Sequence, residues 1–147
     1  MKIQYPSYPD LRDRTVLITG GGSGIGAAFV EAFVLQGSRV AFLDIQNKVS
    51  QELVQSLSGK GPEPIYVDCD VTDISALKDA IQQVEGELGA VRVLINNRMD
   101  LISPSMVMLL KIHLKKDKRS SSVFVLNTST FPILSRTLIW IWNSNRR

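Results

Sequence analysis

Histidine and cysteine are nearly missing from this sequence, and long apolar runs are missing altogether. The one cysteine, Cys69, excludes an internal disulfide and fits a reducing compartment, so a cytoplasmic protein is expected. The one histidine, His113, has no second His, Cys or acidic partner at ligand spacing, so no metal site is expected. No stretch reaches the roughly 18 apolar residues of a membrane span. Residues 101–110 are too few, and Arg136 interrupts 131–142, so no membrane partner is expected. Residues 1–10 hold Tyr5, Pro6, Pro9 and Asp10 and no apolar run, which argues against a secretory leader. Lys115, Lys116, Lys118 and Arg119 cluster without any nucleic-acid-binding motif and read as a solvated linker, so no nucleic-acid partner is expected.

What is present suits one domain with a proper core: 147 residues, 44% hydrophobic and 21% charged. The net charge of +3 conceals an asymmetry. Residues 1–97 carry eight Lys and Arg against twelve Asp and Glu, whereas residues 98–147 carry nine against two. The break in charge coincides with a break in pattern.

The best-marked stretch is residues 15–26, TVLITGGGSGIG. Residues 15–19 read as a strand, continuously apolar at Val16, Leu17 and Ile18, as expected in a parallel sheet covered on both faces. The glycine-rich turn then opens a helix over 23–36. Its buried face is expected at Ile25, Ala28, Phe29, Ala32 and Phe33, and Gly37 stops it. Gly20 makes the tight turn, Gly24 lets a ligand approach the backbone, and Gly26 lets helix pack on sheet. Gly22, Ser23 and Ile25 complete the loop. The first turn of such a helix offers unpaired N–H groups and a positive dipole end to a pyrophosphate. A glycine turn that binds nothing is the rival reading.

A second strand is predicted over 38–44. Asn47 is the expected N-cap of a helix through Val49, Leu53, Val54 and Leu57. Residues 65–68 form a third strand. Asp73 caps a helix over 74–88 with Leu77, Ile81, Val84 and Leu88 inward, and Gly89 ends it. Residues 91–95 form a fourth strand. Alternation of this kind requires right-handed crossovers and gives an α/β fold, a doubly wound parallel sheet. Ligand then lies at the carboxyl ends of the strands. Gly20 to Gly26, Asp44, Asp70 and Asn96 all fall there.

Asp44 lies 18 positions beyond Gly26, near the spacing of a carboxylate that takes ribose hydroxyls. It would repel a 2′-phosphate, and Ile45, Gln46 and Asn47 supply no arginine to offset this. NAD is therefore favoured over NADP. Helix capping is the alternative for Asp44. Asp70 suits an adenine amino group with Val71 against the ring, or else a solvated strand end. Cys69 reads as a small buried apolar residue.

Taken together, TGGGSGIG, Asp44, Asp70-Val71 and Asn96-Asn97, which begins an N-N-A-G-like motif, resemble the short-chain dehydrogenase/reductase family. The lead-in and residues 42–45 resemble its bacterial sugar and polyol dehydrogenases. The resemblance covers residues 10–97. It implies a Rossmann fold, a nicotinamide dinucleotide bound through Gly20, Gly22, Ser23, Gly24, Ile25, Gly26, Asp44, Ile45, Asp70, Val71 and Asn96, and hydride transfer at an alcohol or sugar carbon.

Beyond Asn97 the family pattern stops. Arg98 and Met99 stand where it has small residues. The family's proton relay is a tyrosine followed four positions later by a lysine. Here Tyr5, Tyr8 and Tyr66 are followed at that spacing by Pro9, Arg12 and Asp70. Ser121, Ser122 or Ser129 fit the family's serine in type only, so no catalytic residue is assigned. Residues 1–97 are expected to be the dinucleotide-binding part and 98–147 a basic tail of the kind a frameshift or splice variant leaves. Residues 123–126 read as one more strand; 131–147 show no clean period. A truncated dehydrogenase part that at most binds NAD is the leading reading. A non-enzymatic nucleotide-binding module and an active enzyme with an unfamiliar proton donor are the alternatives. Loss of the sheet's usual cover predicts self-association.

Overall fold

The computed structural model describes residues 7–97, 122–127 and 138–143. Six strands and three helices alternate along most of that length: β1 (Thr15–Thr19), α1 (Gly24–Leu35), β2 (Arg39–Asp44), α2 (Asn47–Leu57), β3 (Ile65–Asp68), α3 (Ile74–Leu88), β4 (Val93–Asn96), β5 (Ser122–Asn127) and β6 (Leu138–Asn143). They form one sheet in the order β3-β2-β1-β4-β5-β6. The first five run parallel and β6 runs antiparallel to β5. This is the Rossmann-type doubly wound arrangement predicted from the alternation.

All five residues of β1 are buried, because its alternate side chains enter two separate cores. Val16 and Ile18 join Val40, Phe42, Val93 and Ile95 under α1 and α2. Leu17 joins Ala41, Leu43, Val67 and Leu94 under α3. Each such side chain contributes about 1.5–3 kcal/mol by leaving water. That explains why a strand covered on both faces shows no polar alternation.

Asp73 caps α3 as expected, its Oδ1 accepting from Ser75 N–H (2.8 Å) and Ala76 N–H (3.1 Å). Three expectations need correction. The inward face of α1 is Gly26, Val30 and Val34, with Phe29 and Phe33 half-buried beside it. Ile25, Ala28 and Ala32 face solvent. The helix is apolar nearly all round, so period alone does not select its face; the close seating of Gly26 does. In α2 the inward residue of the first turn is Ser50, and Val49 is exposed. Asn47 does not cap α2: Gln46 holds that place without a side-chain bond, while Asn47 Nδ2 donates to Asp68 Oδ2 at 2.7 Å.

β5 occupies the strand expected over 123–126, one residue longer at each end. β6 was not expected. Its sequence, LIWIWN, is apolar without alternation, so a period of two is invisible there. His113 and the cluster from Lys115 to Arg119 lie outside the described residues, as do Ser121 and Ser129.

Candidate functional site

The chain passes from β1 outward to β2 and β3, then crosses back to β4 on the other side of β1. Strand order therefore reverses between β1 and β4. In open sheets the crevice for ligand opens at the carboxyl ends beside that reversal. Register aligns Thr19 with Asn96, and Asn96 with Asn127, along this edge.

The glycine turn is tied down from one side. Gly20 N–H (2.8 Å) and Gly21 N–H (3.3 Å) both donate to Leu43 carbonyl oxygen. Gly22 N–H donates to Asp44 Oδ2 at 2.8 Å. The first three glycine amides are thus committed to the end of β2. Gly26 has no room for a side chain, because a Cβ there would overlap the carbonyl oxygen of Gly20. Asn97 Nδ2 donates to that same oxygen at 3.1 Å. Helix α1 is consequently seated on the turn's own carbonyl, and Asn97 locks the two together. The sequence reading missed this role of Asn97, although its pairing with Asn96 was the available signal.

Gly24 differs from its neighbours. Its φ is +55° and a Cβ built on it meets nothing within 4 Å. Ser23 precedes it at the N-cap without a side-chain bond into α1, its hydroxyl instead accepting from Gln46 Nε2 at 3.3 Å. Ile25 is 66% exposed. The opening turn of α1 therefore presents backbone N–H groups and the positive dipole end to open space.

Asp44 ends β2 and is 8% exposed. Its Oδ2 takes Gly22 N–H, and its Oδ1 takes Gln46 N–H at 3.0 Å. The carboxylate is fixed against the glycine turn rather than at the first turn of α2. Ile45 beside it is exposed. Beyond β3, Asp70 Oδ1 accepts from Thr72 N–H (2.9 Å) and Thr72 Oγ1 (2.7 Å), which shapes the turn into α3. Val71 is buried in the core under α3. Asn96 is buried, and its Oδ1 accepts from Thr19 Oγ1 at 2.7 Å.

Two groups near this edge titrate abnormally. Burial pushes the Tyr66 hydroxyl above its ordinary value, and the charges of Asp68 and Asp44 add to the shift. Burial, followed by Asp70, Asp73 and Asp68, raises the Cys69 thiol likewise. Both are held neutral, which suits neither a nucleophile nor a proton relay at neutral pH. Among the described residues no cluster of three or more His, Cys, Asp and Glu is placed to hold a metal ion.

The donor set fits a dinucleotide: an open left-handed glycine at a helix start, with a fixed carboxylate alongside. The sequence profile of the short chain dehydrogenases matches residues 14–132. The chain belongs to that family. The match runs past Asn97 and takes in β5, the fifth parallel strand. A probable galactose dehydrogenase of Rhizobium meliloti is 47% identical over 98 residues, 66% of this chain and 38% of that protein. D-xylose 1-dehydrogenase of Caulobacter vibrioides is 44% identical over 90 residues, 61% of this chain and 35% of that protein. Among solved structures, a dehydrogenase/reductase from Sinorhizobium meliloti superposes with TM-score 0.56 at 29% identity. It shares 58% of this chain and 34% of its own. The 2-keto-3-deoxy-D-gluconate dehydrogenase from Streptococcus agalactiae gives TM-score 0.55 at 26% identity, over 63% and 35%. This family member therefore spans little more than a third of the curated relatives' length. No helix among the described residues is long and apolar enough to cross a membrane.

Proposed function

We propose that the chain binds a nicotinamide dinucleotide, NAD in preference to NADP, and is the coenzyme-holding part of a sugar or polyol dehydrogenase. The observation that carries this reading is the open Gly24 beside the fixed Asp44 carboxylate. Main-chain N–H groups of Ser23, Gly24 and Ile25 would hold the pyrophosphate. Asp44 would accept the adenosine ribose hydroxyls, with Ile45 and Asp70 beside the adenine and Asn96 toward the nicotinamide; the Val71 side chain, expected against the ring, is instead packed in the core under α3. Gly20, Gly22 and Gly26 shape the site. When bound, the nicotinamide supplies a hydride acceptor or donor. A 2′-phosphate about 4 Å from the Asp44 carboxylate would be repelled by about 4 kcal/mol at the effective dielectric of a protein surface.

The proton side of the reaction has no candidate among the described residues. Among the described residues Tyr66 is the tyrosine nearest this edge, but Asp70 follows it at four positions, and burial, then the Asp68 and Asp44 carboxylates, raise its titration where a lysine would lower it. We infer that this chain holds coenzyme and turns over little or no alcohol. General acid–base help is worth about 10²–10⁴-fold, so its loss leaves little rate. The names of the relatives favour sugars as the substrate class of a complete enzyme.

Calorimetric titration of the full chain tests the binding claim. NAD is expected to bind at least about tenfold tighter than NADP, a difference of about 1.4 kcal/mol. Asp44→Asn is expected to weaken NAD and narrow the gap. No heat with either dinucleotide, or tighter NADP, contradicts the reading. Steady NADH production from a sugar panel would instead restore an active enzyme.

A further inference from the structure

Behind the glycine turn lies a polar wall built on two buried side chains, Ser50 and Asp44. Ser50 Oγ, on the first turn of α2, is fully buried and has no hydrogen-bond partner. A buried hydroxyl in that condition costs stability, so its position asks for a reason. It faces Gly22, where a Cβ would overlap it, and the same Cβ would lie 3.0 Å from Asp44 Oδ2. Ser50 and the Asp44 carboxylate thus flank one methylene. Serine fills the space there, and a bulkier side chain would push Gly22 outward.

Tyr66 completes the wall. Its hydroxyl donates to Asp44 carbonyl oxygen at 3.1 Å, which also takes Cys69 N–H at 3.2 Å. Its ring packs on Phe42, centroids 5.4 Å apart. The Ser50 hydroxyl is near enough to ease the raised titration of Tyr66, yet outside hydrogen-bond geometry. Tyr66 therefore anchors the main chain of Asp44, and Ser50 supports Gly22, to which the Asp44 carboxylate is bonded.

We infer that Tyr66 and Ser50 are positioning residues that hold the Asp44 carboxylate against Gly22 and so set the discrimination between a ribose 2′-hydroxyl and a 2′-phosphate. The inference rests on the assignment of Asp44 proposed above. Neither side chain contacts the dinucleotide; both act through Asp44 and Gly22. Freed from the wall, the carboxylate would swing, and its repulsion of a phosphate would fall with distance.

The test uses the full chain with Tyr66→Phe and Ser50→Ala. NAD and NADP affinities are measured by calorimetry, amide exchange of Gly22 and Gln46 by NMR without ligand, and Tm by calorimetric melting. The Tyr66→Phe variant keeps its ring contact and loses one hydrogen bond. Its Kd(NADP)/Kd(NAD) ratio is expected to fall by roughly 3- to 10-fold, with faster exchange at Gly22. Ser50→Ala is expected to lower the ratio while leaving Tm unchanged or higher, because an unpaired hydroxyl is removed. Opposite signs of that kind do not arise from general loosening. Wild-type protein that binds neither dinucleotide removes the Asp44 assignment and this inference with it. Wild-type discrimination that persists unchanged in both variants, or equal weakening of both dinucleotides, overturns this inference alone.

Discussion

Gly24 and Gly26 stand two residues apart in α1 and should answer a methyl group in opposite ways. Gly26→Ala drives a Cβ into the Gly20 carbonyl oxygen, backbone that cannot yield without moving the turn. A loss of about 3 kcal/mol or more is expected in urea unfolding, the upper range for overpacking. Gly24→Ala meets no atom and pays only for its left-handed φ, about 1–2 kcal/mol. Its larger effect is expected in NAD titration, where the new methyl would occupy the space proposed for the pyrophosphate. Cys69 and Tyr66 give a pH prediction. Both have folded-state values raised above the ordinary 9.0 and 10.0. The folded protein then binds more protons than the unfolded chain once pH passes those ordinary values. The stability these two groups contribute should be constant below about pH 9 and fall as pH rises above it. Melting temperature against pH checks this, and Cys69→Ala should make the decline shallower. A Tm that rises above pH 9 contradicts the assignment.

At the scale of elements, Asp73→Ala should cost about 1 kcal/mol in chemical unfolding, because two N–H groups of α3 lose their acceptor. Asn47→Ala should cost less, since Asn47 caps nothing and bonds one exposed carboxylate. Phe42→Ala, fully buried between the glycine turn and Tyr66, should cost about 3–5 kcal/mol. These contrasts mark what was readable in the sequence. β1, β3 and α3 fall on their expected residues, because continuous apolar strands and an aspartate before an amphipathic helix are local signals. The face of α1 was not readable, since apolar residues surround it and a tertiary contact of Gly26 decides. Ser50 was missed for a related reason. A serine in a helix reads as surface until the turn it supports is known. β6 was hidden because its sequence, LIWIWN, shows no alternation. Of the site, the carboxyl-edge positions were legible from spacing, and the bonds tying Gly22 to Asp44 were not.

At the scale of the whole molecule, the sheet formed by the described residues has β6 at one edge, a strand whose sequence carries five consecutive large apolar residues and no charge. Edges of that kind favour pairing between chains. Sedimentation velocity is expected to show a mass that grows with protein concentration, and a concentration-independent monomer would contradict this. One consequence of the tethered glycine turn reaches beyond equilibrium. Three successive amides are fixed on β2 before any partner arrives, so the glycine turn itself need not rearrange on docking. Stopped-flow traces with NAD should be single exponentials whose rate climbs linearly with dinucleotide, without the plateau that a slow closing step imposes.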